Sequence, residues 1–151
     1  MTFDSSLPDY IRAQLDQGEI LRVDGYRGRF APSPTGPLHL GNLRTALLSW
    51  LKARLSNGSW LLRIDDLDTP RNCSGSVESI QHDLKWLGLN WDEPAIFQSK
   101  RRGLYRLFLS SLKRQGKLYA CRCSRKFIAK TSRSLNQPLL YSGRCKDLGL
   151  S

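Results

Sequence analysis

Residues 29–42 read RFAPSPTGPLHLGN. Three of the chain's seven prolines (Pro32, Pro34, Pro37) and two glycines (Gly36, Gly41) surround one histidine, His39. Just upstream, Gly28 to Ala31 predicts a short strand, stopped by Pro32, which cannot donate to a ladder. Downstream, Leu43, Ala46, Leu47, Trp50, Leu51 and Leu55 recur at helical spacing, predicting a helix from Gly41 to about Leu55. The stretch is therefore a βα turn. In an open α/β sheet, such turns at the carboxyl ends of strands are where ligands gather. The prolines stiffen it and remove donors. Thr35 and Gly36 permit a tight bend, and Gly41 allows close approach to the backbone. A helix start offers N–H groups and a positive dipole end to a phosphate, with His39 beside it. Arg29 can grip a carboxylate through two parallel bonds. From the residues alone, two readings stand: a phosphate-binding turn, or a proline-stiffened turn with a surface histidine. The pattern is neither G-x-G-x-x-G nor a Walker loop.

Working outward, Asn57-Gly58 is a turn signal. Trp60 to Ile64 (WLLRI) is the near-continuous apolar run of a buried parallel strand. Val77, Ile80, Leu84 and Leu87 form a second helical stripe, closed by Gly88. Phe97 lies in a short extended segment. Leu104, Tyr105, Phe108, Leu109 and Leu112 form a third helix ending near Gly116. The order β-α-β-α-(β)-α predicts an α/β fold with a parallel sheet and crossover helices. Residues 1–27 read as a polar N-terminal arm with one short amphipathic stretch, PDYIRAQL. After Leu118 the periodicity fails.

The chain has 151 residues and a net charge of +11, unevenly spread. Residues 1–99 carry 10 Lys/Arg against 12 Asp/Glu, whereas residues 100–151 carry 14 against Asp147 alone. A block this basic, interleaved with Tyr105, Phe108, Tyr119 and Phe127, points to a nucleic acid or another polyanion. The alternative is a solvated basic face. No apolar run approaches the ~18 residues of a membrane helix. The acid at Asp4 and the missing apolar core argue against a secretory signal, so a cytoplasmic protein is expected.

Taken together, RFAPSPTGPLHLGNLRTALLSWLKAR resembles the N-terminal catalytic half of the class I glutamyl-tRNA synthetase group. His39-Leu40-Gly41-Asn42 is similar to that group's HIGH signature, and LLRIDDLDTPR (residues 61–71) to its R-I-E-D block. WLGLNWDE and FQSKRR with Tyr105 follow in the same order. The resemblance runs from about Gly28 to Cys145. TGPLHLGNLRTAL and D-L-D-x-P-R resemble the stand-alone branch that attaches glutamate to the queuosine base of tRNA(Asp) more closely than full glutamyl-tRNA synthetase. A fragment of an enzyme charging tRNA(Glu), or a non-catalytic tRNA-binding remnant, is the alternative.

The resemblance implies the first half of a Rossmann-type catalytic domain over 28–118. It implies an ATP-dependent ligase, monomeric, acting on L-glutamate, ATP with Mg²⁺, and tRNA. ATP would lie against His39, Gly41 and Asn42, with His39 catalytic, stabilising charge on the α-phosphate. Arg29, Phe30, Ala31, Pro32 and Ser33 would bind L-glutamate. Asp65 would hold its ammonium group, one methylene shorter than the group's glutamate. Asp65, Asp66 and Asp68 read otherwise as an acidic turn, with Mg²⁺ binding as a weaker possibility.

Four cysteines are present, and a cytosolic chain keeps them reduced. Cys121, Cys123 and Cys145 can supply three thiolates to Zn²⁺, which takes four ligands. Their basic surroundings (Arg122, Arg125, Arg144) favour thiolate. The fourth ligand is not evident from spacing; the resemblance implies Tyr141. Residues 119–151 would then begin a zinc-binding, tRNA acceptor-facing insertion. Cys73 reads as an ordinary loop cysteine, and His82, in a helix among polar residues, as a solvated histidine. The group's second half carries a mobile K-M-S-K-S loop. Lys130 to Ser134 (KTSRS) looks similar, but it stands too early in the chain and is expected to be a chance match. On this reading, the sequence stops inside the insertion.

Overall fold

A computed structural model describes residues 7–23, 25–131 and 141–148. They form two compact units, residues 7–104 and the described residues beyond 104, with the boundary inside a helix. The elements run α1 (Asp9–Val23), β1 (Arg27–Phe30), α2 (Leu40–Leu55), β2 (Ser59–Ile64), α3 (Ser76–Trp86), β3 (Ile96–Phe97), α4 (Arg102–Arg114) and α5 (Arg125–Thr131). Short 3₁₀ turns occupy Thr69–Arg71 and Gln98–Arg101.

The sheet has the order β1-β2-β3, and both pairings are parallel. Phe30 stands opposite Leu62, and Ile64 opposite Phe97. Two α crossovers connect parallel neighbours, as parallel pairing requires. The expected two-sided burial of β2 is met on one face only. Trp60, Leu62 and Ile64 are buried, while Leu61 and Arg63 on the other face are half-buried.

One apolar cluster joins Phe30, Ala46, Ala53, Trp60, Leu62, Ile64, Ile80, Leu84 and Leu89. Ala46 and Ala53 face the sheet because only small side chains let α2 approach β1 and β2 closely. Phe30 stacks on Trp60 with centroids 6.1 Å apart. The Trp60 indole N–H donates to Ser49 Oγ at 2.9 Å, so its one polar atom is satisfied inside the core. The α2–β2 turn uses Asn57 at φ 49°, a conformation asparagine tolerates. Gly58 then passes so close to Tyr26 that a Cβ there would lie 2.1 Å from its carbonyl oxygen.

The WLGLNWDE block is a clamp. Asp92 Oδ2 accepts from the Trp60 backbone N–H at 2.6 Å and from Arg54 at 2.8 Å, while the Asp92 N–H donates back to the Trp60 carbonyl at 3.0 Å. The Asn90 carbonyl accepts from Arg54 and from the Trp50 indole. The Arg54 bond, opposed by burial and helped by the Trp60 N–H, holds the Asp92 carboxyl below its ordinary value.

Two differences from sequence reasoning concern helices. The amphipathic stretch in the N-terminal arm belongs to a 15-residue helix, α1, whose start uses the Pro8 carbonyl as acceptor for Ile11 and Arg12. And α5 forms where the periodicity fails. It is seven residues long and is started by Ser124, whose hydroxyl accepts the Phe127 N–H at 3.1 Å. Among the described residues, no helix is long and apolar enough to cross a membrane.

Candidate functional site

The turn between β1 and α2 borders a cleft of about 410 Å³. Arg29, Phe30, Ala31, Pro32, Ser33, His39 and Asn42 line it, with Thr35 to Leu38 and Thr45 completing the wall. Two hydrogen bonds from the segment after β2 brace this turn: Asp65 N–H to the Pro32 carbonyl and Cys73 N–H to the Pro34 carbonyl, each 2.9 Å. Pro32 and Pro34 are buried under it.

His39 is the N-cap of α2. Its Nδ1 accepts the backbone N–H of Gly41 at 3.0 Å and of Asn42 at 3.3 Å. The Asn42 side-chain oxygen accepts the His39 N–H at 3.2 Å, completing a capping box. Because Nδ1 is an acceptor, the neutral ring carries its proton on Nε2, which is left to donate outward. The expectation of free N–H groups at this helix start is thereby corrected. Those of Gly41 and Asn42 serve His39, and that of Leu43 reaches the His39 carbonyl at 3.1 Å. Gly41 has a specific steric role, since a Cβ there would stand 2.9 Å from His39 Cε1. The close approach inferred for this glycine is that of the imidazole. Gly41 does not itself line the cleft.

Arg29 is exposed on the cleft wall, and no carboxylate is among the lining residues. A cleft with one guanidinium and one imidazole N–H is built to receive anionic groups. Asp65 does not line it. Its carboxylate is held by both Arg63 Nε at 2.6 Å and Arg63 Nη2 at 3.0 Å. Sequence reasoning missed this pair, although residues two apart on a strand share a face. Asp66 turns elsewhere, accepting from Ser99 N–H at 2.8 Å and Ser99 Oγ at 2.6 Å. Burial pushes its carboxyl up, but the Ser99 bonds, with its own backbone N–H and the Arg102 charge, outweigh it and the net shift is downward. Asp68 pairs with Arg71 at 2.5 Å. The three acids are thus each engaged by this chain's own side chains. Cys73 and His82 are exposed, and His82 lies 3.5 Å from Asp83.

In the second unit, Cys121, Cys123 and Cys145 bring their sulfurs within 4.8 Å of one another. Tetrahedral thiolates at ~2.3 Å from a zinc ion stand roughly 3.8 Å apart, so the trio fits such an ion. Cys123 Sγ lies 3.4 Å from Cys145 Sγ, and Cys121 Sγ 3.4 Å from the Tyr141 hydroxyl. That hydroxyl also accepts the Cys145 N–H at 2.8 Å. The Tyr141 hydroxyl, then the Arg122 N–H, stabilise the Cys145 thiolate and bring its pKa to about 7. The Cys145 contact pushes Cys123 up, and the Cys121 contact pushes the Tyr141 phenol up. All four residues named from the sequence as metal ligands therefore meet at one point. The KTSRS stretch starts in the last turn of α5; its residues 132–134 lie outside the described residues.

The family described as tRNA synthetases class I (E and Q), catalytic domain, matches residues 26–146. A glutamyl-Q tRNA(Asp) synthetase of Prochlorococcus marinus (strain MIT 9303) is 65% identical over 150 residues, 99% of this chain and 49% of that relative. One from Synechococcus sp. (strain CC9605) is 59% identical over 94% of this chain and 46% of its own length. The chain spans about half the length of these curated relatives. A crystal structure of a glutamate tRNA ligase from Elizabethkingia meningosepticum CCUG26117, in complex with its amino acid, superposes with a TM-score of 0.61. It is 37% identical, over 70% of this chain and 23% of that one.

Proposed function

The chain belongs to the class I tRNA synthetases of the E and Q group, and on that premise we propose that it supplies the amino-acid and α-phosphate side of an ATP-dependent glutamyl ligase. The reaction is attack of the L-glutamate carboxylate on the α-phosphate of Mg²⁺-bound ATP, giving glutamyl-adenylate and pyrophosphate. The acceptor is the queuosine base of tRNA(Asp), the reading supported by the identity to glutamyl-Q relatives. The acceptor of a glutamate–tRNA ligase, tRNA(Glu), is the alternative.

The observation that carries the proposal is the pairing of Arg29 and His39 across one cleft. Arg29 binds the substrate's side-chain carboxylate. His39 is locked by its own helix so that Nε2–H faces the anion, a donor oriented before the reaction begins. The chain does no covalent chemistry; it positions reactants and stabilises charge. Phe30, Ala31, Pro32 and Ser33 shape the amino-acid side, and Asn42 and Gly41 hold the imidazole. Asp65 meets the ammonium group only in exchange for its Arg63 pairing. Cys121, Cys123, Tyr141 and Cys145 hold one structural Zn²⁺, which fixes the start of the basic segment that binds tRNA. Neutralising Arg122, Arg125 and Lys126 weakens that binding across RNA sequences alike, because phosphate contacts carry no sequence information.

The test is glutamate-dependent ATP–pyrophosphate exchange. The 151-residue chain alone is expected to show little, since half the length of its relatives is outside it. Supplemented with the C-terminal half of the Prochlorococcus relative, it should recover exchange. That exchange should fall about 10²–10³-fold in His39→Ala, the usual cost of one preorganised donor. Exchange unaffected by His39→Ala would overturn the proposal.

A further inference from the structure

Next to the thiol cluster lies a second cavity, of about 310 Å³. Arg122, Ser124, Phe127, Arg144 and Leu148 line it, along with two of the clustered thiols. No lining residue is acidic. The Arg144 guanidinium lies over the Phe127 ring, 5.2 Å from its centroid. Ser124 caps α5 through the Phe127 N–H and so fixes the ring's position. Among the described residues, neither Arg122 nor Arg144 forms an ion pair. Two uncompensated guanidiniums, an aromatic ring and a leucine therefore share one concavity, at the small end of the range for ligand pockets.

We infer that this cavity receives one unpaired nucleotide of an RNA strand, its phosphate between Arg122 and Arg144 and its sugar and base against Leu148 and Phe127. Guanidinium forks match phosphate oxygens. Aromatic and arginine planes are the surfaces on which unstacked bases settle. A duplex keeps its bases inside and presents phosphates on a convex surface, so only an unpaired nucleotide enters. The +13 balance of residues 100–151 brings the strand there. The inference rests on the RNA reading above and sharpens it to a single subsite.

The test uses the zinc-reconstituted chain and a short mixed-sequence single-stranded RNA. The variant Arg122→Gln/Arg144→Gln should weaken binding about tenfold or more and flatten the salt dependence by about 0.7 in slope, the share of the one phosphate the pair holds. The charge-matched Lys113→Gln/Lys117→Gln, in the same basic block but outside the cavity, should lose less than about threefold. The matching duplex should bind without sensing the arginine pair. Independently, 4-thiouridine in the single strand should photocrosslink the unsubstituted chain within residues 122–127 or 144–148. That map decides the matter if the arginine variant loses its metal. Equal losses in the two variants, crosslinks only elsewhere, or inorganic phosphate displacing RNA as well as competitor RNA does would overturn the subsite while leaving RNA binding intact. Absence of any RNA binding by the unsubstituted chain would remove the RNA reading and the subsite together.

Discussion

In residues 7–104, nine apolar or small side chains from both crossover helices, β1, β2 and Leu89 are buried in one cluster. Beyond residue 104, the only buried side chains among the described residues are Ser111 and Cys145. The first unit holds its shape by removing apolar surface from water, worth roughly 25 cal/mol per Å². The second has 11 Lys/Arg in residues 105–151 and, among the described residues, almost no core to set against their mutual repulsion. What it has instead is three thiols and the Tyr141 hydroxyl drawn together, the cluster proposed above to hold zinc.

The largest expected effect comes from withdrawing the metal. Structural zinc sites carry apparent binding energies of about 10–16 kcal/mol. The reconstituted chain should hold one zinc. Chelation should open residues 121–123 and 141–148 to rapid amide exchange. All four tryptophans lie in residues 7–104, so their emission should not move. Simultaneous loss of both signals would break the comparison. Zinc retained by Cys121→Ser/Cys123→Ser would show that the ligand assignment is wrong.

The converse substitution is Trp60→Ala. It empties the centre of the first unit and should cost about 3–5 kcal/mol. Denaturant unfolding followed by tryptophan emission would record this. Zinc content per chain should stay the same, and its loss would mean that the two units do not stand apart.

A smaller effect belongs to Asp92, the polar knot of the apolar unit. The Arg54 bond holds its folded carboxyl below the ordinary value of 3.8. The stability it contributes is therefore present above pH ~3.8 and is lost as pH falls through the lower folded value. Asp92→Asn should cost about 1 kcal/mol near neutrality, discounted for its partial exposure. It should also flatten part of the acid limb of a stability–pH curve. Asp66, whose carboxyl is also held below its ordinary value, contributes in the same direction. An unchanged acid limb would show that the Arg54 bond carries no stability.

Smallest in stability, though not in chemistry, is His39. Replacing it by alanine removes an N-cap and should cost about 1 kcal/mol, whereas asparagine can still cap. His39→Asn should therefore melt like the parent and yet lose exchange activity in the supplemented system. A parent-like activity for His39→Asn would reduce His39 to a cap.

Much of this was legible in the sequence. The stripe of α2 and the run WLLRI predicted their elements because each has a single strong period. The cysteine spacing predicted which sulfurs meet. Three things were not legible. Histidine is outside the usual N-cap set, so the capping box closed by Asn42 gave no signal. The grip of Ser99 on Asp66 spans 33 residues, and no local pattern encodes a contact at that separation. Helix α5 begins with Arg125 and Lys126 and is too short for a period to emerge; its one signal was Ser124. The Arg63–Asp65 pair could have been read from strand alternation, had both been placed on one face.

The imidazole of His39 occupies the space where a side chain at position 41 would begin. Positions 39 and 41 therefore cannot drift independently. In a library randomised at both, alanine at 41 should survive only beside a short capping residue such as serine at 39. The fitness of the two substitutions should then be strongly non-additive. A single methyl group thus makes the routes out of the histidine signature depend on order, with those that change position 39 first meeting the least resistance.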